Sequence, residues 1–79
     1  MESAKIRLHG LSEVKEFVNA ASKCDFDIDI YYNRIIIDAK SILGILSMDL
    51  SRELNVDYAG HNEEFEAVLD KFSTGSRVA

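Results

Sequence analysis

Between positions 26 and 31 the chain alternates strictly. Phe26, Ile28 and Ile30 are apolar, and Asp27, Asp29 and Tyr31 stand between them. A side-chain period of two puts one face of a strand in the core and the other in water. The same alternation runs from Ala4 to His9, with Ile6 and Leu8 on one side and Lys5 and Arg7 on the other. It returns at Leu54, Val56 and Tyr58, separated by Asn55 and Asp57. A fourth strand is predicted over Ile35 to Asp38, the return arm of a hairpin turned at Asn33-Arg34. That turn lacks the usual glycine.

Two stretches have helical spacing instead. Val14, Phe17, Val18 and Ala21 fall at i, i+3, i+4 and i+7, one apolar stripe of an amphipathic helix. Ser12 is placed to cap it, and Cys24-Asp25 closes it. Phe65, Val68, Leu69 and Phe72 form a second stripe behind an Asn62 cap. Glu63, Glu64 and Glu66 stand near the positive end of that helix dipole. Between them, a short helix from Lys40 or Ser41 to about Met48 carries Ile42, Ile45 and Leu46. The small, polar run from Ser73 to Ala79 is expected to fray. The order is strand, helix, strand, strand, short helix, strand, helix. It predicts an α+β fold: one four-stranded antiparallel sheet with the helices on one face. The other face stays wet, as Asp27, Asp29 and Asp57 require.

At 79 residues the whole chain reads as one domain. A domain this size buries only roughly 60% of the surface its unfolded chain exposes, so its core is thin. A net charge of −5 offers no basic patch for a phosphate backbone, which argues against a nucleic-acid partner. No apolar run approaches the ~18 residues that a membrane span needs, and the N-terminus lacks the shape of a signal peptide. Cys24 stands alone, so no internal disulfide forms. Together these point to the cytoplasm.

Few residues suggest chemistry. Asp25, Asp27 and Asp29 alternate on a strand without the glycine-bearing loop of a calcium site. Ser12, Ser22 and Ser47 have no histidine-carboxylate partners for a hydrolase triad. His9 and His61 are far apart with no cysteine pair, so no metal site and no cofactor is expected. Cys24 reads as packed rather than catalytic. Ser41 is more informative, because it opens the short helix. It is either a simple cap, worth about 1 kcal/mol, or a place for a phosphate. A phosphate there adds about −1.5 to −2 charge beside free backbone N–H groups and favours the helix. A helix this short cannot bury Ile42, Leu43 and Leu46 together with Ile45. An exposed aliphatic patch beside a charge switch is a protein-binding surface. Lys40 is placed to pair with an acidic partner or with the phosphate, though Asp38 and Asp49 make the surroundings acidic.

Val18 to Tyr58 resembles HPr, the small histidine-containing carrier of the bacterial sugar phosphotransferase system. The likeness is tightest in Ala21-Ser22-Lys23, in Tyr32-Asn33 and in the run from Asp38-Ala39-Lys40-Ser41 through Ile42-Leu43-Gly44-Ile45-Leu46-Ser47. It implies an open-faced β-sandwich, three helices on a four-stranded sheet in the order βαββαβα, and a carrier or regulator rather than an enzyme. The family's phosphocarrier motif is Gly-(Ile/Leu)-His-Ala-Arg-Pro-Ala at the first helix, where the histidine takes phosphate from phosphoenolpyruvate by way of Enzyme I. Here the chain reads Leu8-His9-Gly10-Leu11-Ser12-Glu13-Val14. The ungapped match puts Gly10 at the histidine, Ser12 at the arginine and Glu13 at the proline. A one-residue-pair alternative, aligning Gly10-Leu11, puts Ser12 at the histidine. Either way the loop is degenerate, and Glu13 repels an incoming phosphoryl group. His9, one position before the aligned site, is a weak candidate for a displaced acceptor and otherwise an ordinary strand-end histidine. In the family the serine matching Ser41 is phosphorylated by a dedicated kinase, and the product binds a transcriptional regulator in catabolite repression. The resemblance therefore implies Ser41 as a regulatory site and Lys40, Ile42, Leu43 and Leu46 as the partner-binding patch. HPr serine kinase and a transcriptional regulator would be the partners, with Enzyme I added only if His9 is active.

Overall fold

The computed structural model describes residues 2–75. Seven elements follow one another: β1 (Glu2–Ile6), α1 (Leu11–Ser22), β2 (Ile28–Tyr32), β3 (Ile35–Asp38), α2 (Ile42–Leu46), β4 (Leu54–Tyr58) and α3 (Glu63–Phe72). The strands form one sheet in the order β1-β4-β2-β3, with each neighbouring pair antiparallel. Register sets the two faces. Ala4 faces Val56, Ile6 faces Leu54, and Ile30 lies between Val56 and Ile37. Ala4, Ile6, Leu54, Val56, Tyr58, Ile28 and Ile30 are consequently all buried on the inner face.

The helices cover that face. α1 buries Val14, Phe17, Ala20 and Ala21; α3 buries Phe65, Leu69 and Phe72. Three rings stitch the layers together. Phe65 lies 5.9 Å from Phe17 between the helices and 5.4 Å from Tyr58 on the sheet, edge-on to it. Each such ring contributes about 1.5–3 kcal/mol by burial, and its edge geometry roughly 0.5–1.5 kcal/mol more.

The sequence reading is corrected in several places. β1 stops at Ile6, not at His9, because its partner strand begins at Leu54 and offers nothing further to pair with. Ser12 does not cap α1: the helix starts at Leu11, and Gly10 occupies the cap with φ 96 and no side-chain bond. The α1 stripe turns toward Ala20, leaving Val18 half-buried. Phe26 precedes β2 and packs beside Gly60, where even a Cβ would come within 2.1 Å of its ring. The hairpin without glycine works because Asn33 itself takes the left-handed φ of 52, which asparagine tolerates.

The two outer strands differ. β1 is covered at its free edge by the segment after α3. Ile6 bridges Ser73, Arg7 N donates to Phe72 O at 3.0 Å, and Thr74 N donates to Lys5 O at 3.0 Å. Ser73 and Thr74, assigned to the tail by the sequence, are thus bonded to the sheet; positions 76–79 lie outside the described residues. β3, at the other side, ends the sheet.

Candidate functional site

Ser41 sits where β3 hands over to α2. Its backbone is extended, with φ −102 and ψ 102, and its Oγ accepts the Gly44 N–H at 3.1 Å. Ile45 N donates to Ser41 O at 3.1 Å, so both the side chain and the main chain of Ser41 hold the first turn. The residue is exposed. α2 has five residues, and its contact with the sheet depends on Gly44. A Cβ there would lie 2.6 Å from Ile37 Cγ2 and 3.0 Å from Ser41 Oγ. The glycine lets the helix backbone rest directly on β3.

That seating sorts the aliphatics. Ile45 is buried, and Ile42 is half-buried against the core. Leu43 is 78% exposed and Leu46 39%. The exposed part of the patch is therefore Leu43 and Leu46, with Ile42 at its base. Lys40 is tied back: its Nζ donates to Cys24 O at 3.0 Å, at the end of α1, and its N–H donates to Asp38 Oδ1 at 2.9 Å. Below α2, Asp49 N donates to Tyr32 OH at 3.1 Å, and Arg52 lies over the Tyr32 ring at 5.3 Å. Asp49 also accepts from the Ser51 hydroxyl at 2.6 Å and the Ser51 N–H at 3.1 Å, which hold its carboxyl below the usual range. Cys24 is buried, its Sγ 3.6 Å from Ala20 O, and burial pushes its thiol up against the opposing pull of Lys40.

The front of α1 is built differently. Gly10 supplies no side-chain oxygen, though its carbonyl accepts the Val14 N–H at 3.2 Å, and Glu13 reaches back instead. Its Oε1 accepts the His9 N–H at 2.8 Å and lies 3.4 Å from His9 Nδ1. The His9 ring is exposed. Arg7, His9, Glu13, Lys71 and Phe72 wall a shallow depression of about 320 Å³. Its cations are already engaged: Arg7 donates to Ser51 O at 2.7 Å, and Lys71 pairs with Glu16 at 2.8 Å. The i, i+4 spacing of His9 and Glu13 was the one signal in the sequence for their contact.

The second histidine has a partner the sequence did not reveal. His61 Nδ1 lies 2.6 Å from Glu66 Oε2, which also accepts the Asn62 N–H at 3.3 Å. Glu2 from β1 joins them, giving three groups whose ligand atoms fall within 4.8 Å of one another. Asn62 caps α3 as expected, its Oδ1 accepting the Phe65 N–H at 2.9 Å. No helix among the described residues is long and apolar enough to cross a membrane.

These features define a class first: a small open-faced sandwich with an exposed, serine-capped short helix that leaves two of its leucines in solvent. The chain belongs to the HPr family, for residues 11–74 match the family model described as the PTS HPr component phosphorylation site. It is also similar to a solved structure, that of HPr-C-His from Thermoanaerobacter tengcongensis. The identity is 25%, the TM-score 0.73, and the match covers 90% of this chain and 89% of the other. No curated protein matches significantly. The α+β sandwich expected from the element order is the fold of that relative. Proteins of this family are phosphocarriers of the phosphotransferase system, not enzymes with their own turnover.

Proposed function

We propose that this HPr-family chain is a regulatory docking module of the cytoplasm, switched by phosphorylation of Ser41 and lacking the phosphoryl-carrying histidine. HPr serine kinase would modify Ser41. A transcriptional regulator would read the phosphate together with Leu43 and Leu46, linking the protein to sugar transport and catabolite repression. One observation carries this reading: Ser41 is exposed at the front of α2, whose second residue, Leu43, is the most exposed of the large aliphatics among the described residues. The phosphate adds roughly two negative charges at the turn where backbone N–H groups begin the helix. Lys40, released from Cys24 O, is the nearest cation in sequence to balance them.

The front of α1 supports the second half of the proposal. The cap position holds Gly10, and Leu11 and Ser12 follow it. His9 is exposed but set beside the Glu13 carboxylate, and charge of the same sign as a phosphoryl group disfavours its approach. The alternative, a carrier that takes phosphate from Enzyme I on His9, is separated by one pair of assays. With kinase and ATP, the wild-type protein incorporates acid-stable phosphate and Ser41→Ala does not. With Enzyme I and phosphoenolpyruvate, no acid-labile phosphate forms. Acid-labile phosphate that disappears in His9→Ala would overturn the proposal in favour of the carrier. No phosphate in either assay would leave an adaptor without either modification.

A further inference from the structure

The β3 edge differs from the β1 edge in having no segment laid along it among the described residues. Hydrogen bonding in an antiparallel pair alternates along the strand. Ala39 N donates to Ile28 O at 2.9 Å, and the register runs Ile30 with Ile37 and Tyr32 with Ile35. The N–H and C=O groups of Ile35, Ile37 and Ala39 therefore turn toward β2. Those of Ile36 and Asp38 turn outward. Of these, Asp38 O is taken by Ser41 N at 2.9 Å, which leaves Ile36 N–H, Ile36 C=O and Asp38 N–H on the open edge.

An open edge is a template for another strand, and proteins blunt it with lysine, proline or a bulge. β3 has no lysine, proline or bulge, and only its four-residue length and the terminal Asp38 limit such pairing. It carries Ile36, 65% exposed, and Ile35, 44% exposed. At its two ends are opposite charges. Arg34 and Asp38 are both exposed, and neither forms an ion pair among the described residues.

We infer that β3 is the docking edge for a second copy of this chain, pairing antiparallel about a two-fold axis at Ile36 so that two sheets join into one. The choice of register follows from parity and charge. With Ile36 opposite Ile36 of the second copy, the two residues exchange both of their outward main-chain groups. The same register places Arg34 opposite Asp38 of the second copy, twice by symmetry. Shifting the axis to Ile35 or Ile37 sets Ile36 against a charged residue and leaves the arginine-aspartate pairs unmade. A two-fold contact uses the same patch on both molecules, and this edge is complementary to itself. The strand is only four residues long, so the dimer is a weak one.

The test is sedimentation of the full chain over a concentration series reaching the order of 1 mM, the range of weak association. The expected result is a reversible monomer–dimer equilibrium that loosens as salt rises. Arg34→Glu sets like charges opposite each other and weakens the dimer by about tenfold. Adding Asp38→Arg to that variant restores the pairing with signs exchanged. Ile36→Lys abolishes the dimer, and an unchanged circular dichroism spectrum shows that the fold survives. A wild-type protein that stays monomeric throughout overturns the inference. So does a dimer indifferent to Ile36→Lys, or one that the double charge exchange does not restore.

Discussion

The fronts of α1 and α2 meet the same problem in opposite ways. A helix begins with N–H groups that have no partner inside it. α2 solves this with its own cap residue: the Ser41 oxygen accepts Gly44 N–H, and the hydroxyl stays in solvent. α1 has a glycine at the cap, and a carboxylate from its first turn, Glu13, reaches back past it to His9. The first arrangement puts a modifiable oxygen at the front of a helix. The second fills that front with fixed negative charge. On the function proposed above, one helix front of this chain receives a phosphate and the other does not. The lesson is that the sign of the first-turn side chain, and not the presence of a helix end, decides where an anion is welcome.

The sharpest way to break the contrast is at Gly44. Gly44→Ala drives a methyl into Ile37 Cγ2 and crowds Ser41 Oγ. Alanine favours a helix by about 1 kcal/mol, but overpacking costs about 1–3 kcal/mol, so urea denaturation should show net destabilisation and poorer phosphorylation of Ser41. At the other front, an added Cβ at Gly10 meets nothing within 4 Å, yet φ is 96. Gly10→Ala should therefore cost about 1–2 kcal/mol of left-handed strain with no loss of packing, again read from the urea midpoint. A smaller effect separates cap from charge. Ser41→Ala should lose about 1 kcal/mol and Ser41→Asp almost none, because aspartate caps as well as serine does.

The weakest handle is pH. The folded-state pKa of Cys24 is raised, first by burial, and that of Tyr31 is raised by burial and by Asp57. Their stabilisation is intact below the ordinary values of 9.0 and 10.0 and is lost as pH rises through the folded-state values. Asp49 has the opposite sign: its contribution is present above the ordinary carboxylate pKa and falls away as pH drops through the lowered one. Urea midpoints from acid to strongly alkaline pH should form a shallow dome. Asp49→Asn should flatten only the acid limb.

Much of the fold was legible because period and cap chemistry are local. β4 falls where the alternation put it, β3 where the return arm of the hairpin was expected, and Asn62 caps α3 as its position implied. The misplaced end of β1 and the misread Ser12 have one cause. A strand ends where its partner ends, and a helix starts where the backbone turns, and both are decided by tertiary context. Ser41 was legible as a cap and Leu43 as surplus apolar surface. That Lys40 is held by Cys24 O was not, since nothing local ties a lysine to a carbonyl of the preceding helix. The contact of His61 with Glu66 was hidden likewise, because a loop residue that folds over a helix start follows no fixed spacing.

The sheet order also has a consequence for the sequence of assembly. β2 and β3 close across a two-residue turn, but β1 must find β4, pairing Glu2 with Tyr58 from far along the chain. Contacts of such separation form slowly. During synthesis β1 precedes the other three strands of the sheet, and then waits, unpaired, until the chain from residue 7 to residue 58 has followed it. The earliest strand of this sheet is among the last to find its neighbour.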